Sequence, residues 1–186
     1  MNWKTIVALS GLLAVNFPAR AQIQTTNEIR ANIEIFEAQT NLLLIKALGS
    51  GGQLSAGAGI LSVRLKDTFT PDVSQRMQGL VLTYSEGERR ERAVVDYDEI
   101  DSLLKAVDYI RSVNYDVTGL PSFEAEYRTR DGFRVLGIGS RRQTSVEDFV
   151  QFGAGGRIPL NSDQVVQLRG IISQARAALD ELRPAK

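Results

Sequence analysis

The 186-residue chain is 43% hydrophobic and 24% charged, sets 22 basic against 22 acidic side chains, and contains neither Cys nor His. These values describe one ordinary globular domain or two small ones, not a disordered or multi-span membrane protein. Thiol catalysis, disulfides, thiolate or imidazole metal sites and the Ser/His/Asp triad are excluded, and neither metal nor cofactor is expected.

The N-terminus reads Met-Asn-Trp-Lys, then a mainly apolar run over 5–15, then Phe17-Pro18-Ala19-Arg20-Ala21. A short basic region, an apolar core and a small-x-small ending are the parts of a secretory signal peptide, with cleavage expected after Ala21. The run is too short for a membrane span, so no stable span is expected after cleavage. With no Cys at the cleavage site, a bacterial lipid anchor is ruled out, and the expected location is the periplasm or the outside of a bacterial cell. Removing Lys4 and Arg20 leaves 20 basic against 22 acidic side chains, a formal charge of −2 that gives no long-range pull on polyanions. Nucleic acid is thus an unfavoured partner.

Residues 22–40 read as a flexible or helical leader, polar at first and then, over 33–38, carrying a pattern that fits a helix. The folded part is expected over 41–186. An apolar run over 41–48 ends in Gly49-Ser50-Gly51-Gly52 and reads as a first strand followed by a turn, and 59–69 alternates as a second. A turn at Thr70-Pro71-Asp72 leads to strands over 77–85 and 92–95, joined as a hairpin through Glu86-Gly87-Glu88. The period then changes from two to helical: Asp96 and Glu99 have the form of a capping box, followed by Ile100, Leu103, Leu104, Val107 and Ile110. This helix is expected to end near Asn114. Strands over 123–128 and 133–138 flank an Asp131-Gly132 turn, two more follow at 146–152 and 157–160, and Asn161 with Gln164 opens a second capped helix.

The expected fold class is α+β, antiparallel sheet with two amphipathic helices. An offset of 65 residues places Asp96 on Asn161, Glu99 on Gln164, Ile100 on Val165, Leu103 on Leu168 and Val107 on Ile172. The layout therefore admits a tandem repeat of four strands then a helix, 41–118 and 119–186, each helix covering the apolar face of a sheet. Whether the halves share one sheet or make two is open. In element order the chain resembles whirly and PUR-type single-strand nucleic-acid-binding domains, and loosely beta-lactamase inhibitor proteins, without carrying their sequence motifs. The helix start at 96–101 and the strand at 126–129 also resemble exported bacterial proteins to which no activity attaches.

Asp96, Asp98, Glu99 and Asp101 form the densest acidic cluster; helix capping explains it better than Ca²⁺, because the EF-hand's turn glycine and distal bidentate acid are missing. The glycine segments 49–52, 137–139 and 153–156 fit turns and bulges in or between strands rather than a phosphate loop opening a helix. Ser102-Leu103-Leu104-Lys105 matches Ser-x-x-Lys but lacks its companion motifs. Arg92, Arg128, Arg130 and Arg134, with Tyr127, suit a ligand- or partner-binding face, although interleaved acids also fit a solvated sheet face with cross-strand ion pairs. The leading expectation is a non-enzymatic domain binding a protein partner or small ligand in the cell envelope. A His-independent envelope glycan hydrolase with paired carboxylates is the alternative, and a single-stranded nucleic-acid or polyanion binder is third.

Overall fold

Two four-stranded antiparallel sheets, with strand orders β1-β2-β3-β4 and β5-β6-β7-β8, form the frame of the computed structural model, which describes residues 30–142 and 145–183. The signal-like segment and the polar leader up to residue 29 lie outside the described residues. The first sheet comprises β1 (Ile45–Ala56), β2 (Gly59–Phe69), β3 (Arg76–Glu86) and β4 (Arg89–Asp96). The second comprises β5 (Ser122–Arg128), β6 (Phe133–Ser140), β7 (Glu147–Phe152) and β8 (Ile158–Leu160). Helix α1 (Asn32–Glu37) precedes the first sheet, α2 (Tyr97–Ser112) follows it, and α3 (Ser162–Glu181) follows the second. The chain is α+β, and four strands then a helix is its plan in both halves.

The reason for the helices is local. Both capping boxes form, Asp96 with Glu99 for α2 and Asn161 with Gln164 for α3, so the first amides find acceptors where the strand period stops. In α3, Asn161 Oδ1 accepts from Gln164 N and Gln164 Oε1 from Asn161 N, each at 2.8 Å. The apolar positions at helical spacing, Ile100, Leu103, Val107 and Ile110 in α2 and Val165, Leu168, Ile172, Ala175 and Leu179 in α3, are all buried.

The first strand differs from expectation. Strand β1 begins at Ile45 and runs through the glycine segment to Ala56, with a bulge between Ser50 and Gly52. Gly52 takes φ +135°, and a Cβ there would stand 3.1 Å from the Ile171 side chain; one on Gly51 would stand 3.2 Å from Ala175. The glycines are thus not a turn after the strand but the place where α3 lies close against it.

That contact also changes the expected division of labour between the helices. Helix α3, encoded after the second sheet, lies mainly along β1 and β2, while α2 bridges β3–β4 and β5–β6. One continuous core results, in which Leu61, Leu82 and Val95 of the first sheet join Phe133, Val150 and Ile158 of the second. On the outer face of the first sheet, α1 sets Ala31 and Ile33 against Val81 and Val94. The later part of the expected leader is therefore a docked helix, held also by Glu37, which accepts from Thr68 Oγ1 at 2.6 Å and Lys66 Nζ at 2.9 Å.

Candidate functional site

The five residues expected to form a binding face are distributed by the alternation of the strands. Arg128 and Arg134 are register partners on β5 and β6, with Arg134 Nη1 3.5 Å from Glu126 Oε2. Arg92 belongs to the other sheet and reaches Glu34 of α1 at 2.6 Å. Tyr127 points the opposite way from Arg128, inward against the core, because successive strand residues face opposite sides. Burial pushes its hydroxyl pKa up, even as a hydrogen bond to Ser102 pulls it down.

Arg130 stands apart from these, in the β5–β6 turn. Its guanidinium donates to Asp96 Oδ2 at 2.8 Å and to both Asp98 oxygens at 2.9 and 2.6 Å, while its backbone N–H donates to Glu99 Oε1 at 2.8 Å. Asp96 accepts in addition from the amides of Asn32 and Ile33 at 2.6 and 3.0 Å, so one carboxylate serves the starts of α1 and α2 and the turn of the second sheet. Three acids of the sequence cluster, Asp96, Asp98 and Glu99, thus form a structural junction, while the fourth, Asp101, accepts from Arg176 of α3. No group of three or more acids suited to a metal occurs among the described residues.

Beside this junction lies an open cleft of about 650 Å³, bordered by Val73, Arg76, Met77, Asp96, Tyr97 and Arg183. Its arginines are held: Arg76 donates to buried Asp67 at 2.9 Å, and Arg183 lies 4.3 Å over the Tyr97 ring. Its acids are held too. Hydrogen bonding to Arg130 keeps the Asp98 carboxyl below its ordinary value, so it is ionised at neutral pH. Glu99, at the junction, is pushed up by burial, but its two oxygens already accept from the Arg130 and Asp96 amides. Neither acid is arranged to hand a proton to a substrate.

A second hollow, of about 520 Å³, runs between β5 and α2, lined by Tyr109 and Ile110 on the helix, by Val113 just after it, and by Phe123, Ala125 and Tyr127 on the strand. Here the core is incomplete. The three strand residues are only half-buried, and Tyr109 is 55% exposed. The glycines of β6 shape this end of the sheet: a Cβ on Gly139 would stand 2.3 Å from the Phe123 ring, and one on Gly137 2.9 Å from Ile110. Each glycine lets an apolar group lie directly on the sheet. Phe123 is further fixed edge-on by Tyr115, with ring centroids 6.1 Å apart.

Among the described residues no strand pairs with the outer edge of β5. Sequence reasoning placed a strand over 123–128 and set Tyr127 on the binding face with the arginines; in the fold Tyr127 lies with Ala125 against the core, and no local signal placed α2 beside them. No helix of the described residues is long and apolar enough to cross a membrane. No protein-family model, curated protein or solved structure matches the chain.

Proposed function

We propose that this protein is an exported, non-enzymatic binding domain whose partner docks in the groove between β5 and α2. The observation that carries this reading is an apolar groove flanked by a helix on one side and, on the other, a strand edge that no strand of the described residues pairs, the combination that recognition by strand addition requires. Export to the periplasm or the cell exterior rests on the signal-like pattern of residues 1–21. The pinned acids of the larger cleft favour binding over glycan hydrolysis, since hydrolysis needs one carboxyl free to donate a proton and a second facing the sugar. Polyanion binding has little to rest on, with Arg92, Arg130 and Arg134 each paired to an acid.

The test compares the purified protein with Tyr109→Glu, which puts a charge into the groove, and with Arg64→Glu on the outer face of the first sheet. Thermal midpoints are measured against fractionated envelope extract. A fraction holding a partner raises the midpoint of the parent and of Arg64→Glu by several degrees and leaves Tyr109→Glu unmoved. A shift that Tyr109→Glu retains, or no shift from any fraction, overturns the reading.

A further inference from the structure

The two sheets have four outer edges, and among the described residues three of them are obstructed. Strand β1 is kinked by its bulge and its Ser55 carbonyl accepts from Gln164 Nε2 at 2.8 Å; the Val94 N–H of β4 donates to Asp131 Oδ2 at 2.7 Å; β8 is 3 residues long. Strand β5, 7 residues without a bulge, is the exception. Its hydrogen-bond phase can be read from its ends. Arg141 N donates to Pro121 O and Thr129 N to Phe133 O, so the odd-numbered residues face β6, and the period of two turns the N–H and C=O groups of Ser122, Glu124, Glu126 and Arg128 to the free edge.

We infer that the occupant of the groove is an extended segment of a partner protein that adds beside β5, with apolar residues at alternate positions facing α2 and basic residues between them. Directly opposed residues of neighbouring strands share a face. Those opposite Phe123, Ala125 and Tyr127 fall into the groove against Tyr109 and Val113, where only apolar groups gain by burial. Those opposite Glu124 and Glu126 lie on the outer row. Each of these glutamates engages an arginine through Oε2, Arg157 at 2.8 Å and Arg134 at 3.5 Å, and its Oε1 has no partner among the described residues. A Lys or Arg on the incoming strand supplies one. A second copy of this chain fits less well: antiparallel pairing of two β5 strands about Ala125 sets Glu124 against Glu126 twice, a like-charge contact.

This inference rests on the proposed groove function, and its test separates the two. Labelled peptides the length of β5 are titrated onto the purified protein by fluorescence anisotropy: Val alternating with Lys, Val alternating with Glu, and a blocked Val/Lys sequence of the same composition. The alternating Val/Lys peptide is expected to bind about tenfold more tightly than either of the others. Reversal of charge with Glu124→Lys and Glu126→Lys inverts the preference towards Val/Glu. Glu124→Pro, which deletes an edge N–H at a position where proline is compatible with an edge strand, abolishes both, and Ala125→Lys, which fills the groove, does the same should the proline variant fail to fold. Equal binding of the blocked peptide, or a preference that charge reversal leaves unchanged, overturns the inference. So does a concentration-dependent dimer in sedimentation that Glu124→Pro dissolves, which assigns the edge to a second copy. If no peptide binds while an envelope fraction still raises the midpoint in a Tyr109-dependent way, the strand occupant is wrong and the binding function stands.

Discussion

Arg130 illustrates how a residue picked out for its charge acquires its meaning from what surrounds it. Its side chain is 37% exposed, yet Asp96 beneath it is only 5% exposed and faces two backbone amides as well as the guanidinium. Removing the cation leaves a buried carboxylate without its counter-charge, whereas removing Asp98, 61% exposed, loses little more than a surface pair. Arg130→Ala is therefore expected to lower stability by about 2 kcal/mol, discounted from a fully buried pair for the water that reaches it. Asp98→Asn is expected to cost about 0.5 kcal/mol. Urea midpoints at constant m value check both, and equal losses would show that the junction does not discriminate between its acids. The arginine was legible in the sequence as one of several; nothing in its neighbours distinguished it from Arg128, because the acids it meets arrive from 32 and 34 residues away.

At the scale of elements, the capped helices are the part that local chemistry dictates most fully. Each box lies where a strand ends, and in α3 the N-cap geometry is complete on both arms. Asn161→Ala removes the acceptor for the Gln164 amide and is expected to cost about 1 kcal/mol, while Asn161→Asp keeps an acceptor and adds a charge favourable to the helix dipole. A urea midpoint for the Asp variant at or above the parent, with the Ala variant below it, is the expected pattern. Gln164 also donates to Ser55 of β1, so the same turn ties α3 to the first sheet. Hairpins were equally legible where a turn residue is obligatory: Gly87 at φ +57° and Gly132 at φ +80° sit in the turns their sequences announce. The glycine run in β1 misled for a physical reason, since glycine marks a turn and a close approach with the same letter.

At the scale of the molecule, the acids displaced from their ordinary values set the response to pH. Hydrogen bonding to Arg130 lowers Asp98, and for Glu37 burial raises the pKa but Thr68, Lys66 and Lys46 outweigh it, leaving the group lowered. Groups with depressed values contribute stability that is complete above their ordinary pKa of 3.8 or 4.5 and is lost as pH falls through the folded value. Burial raises Glu99, Asp131 and Asp148, and these work in the opposite sense. The folded chain takes up their protons ahead of the unfolded one, so they add stability as pH falls through their raised values. The urea midpoint is thus expected to hold or rise from pH 7 to about pH 5 and to fall below about pH 4. A steady decline from neutrality would mean that the raised acids contribute nothing.

The sequence by itself determined the fold class, the helix starts, most hairpins and the plan of four strands then a helix, because periodicity, capping and turn chemistry act over a few residues. Only the tertiary structure decided that the sheets are two, that α3 crosses to the first of them, that Asp96 and Arg130 meet, and that α2 leaves a groove along the outer edge of β5. These depend on which faces come together to close one core across more than 100 residues of chain, as between Ser55 and Gln164, 109 apart in sequence. No local preference encodes such a meeting; it is settled by how much apolar surface the whole assembly removes from water.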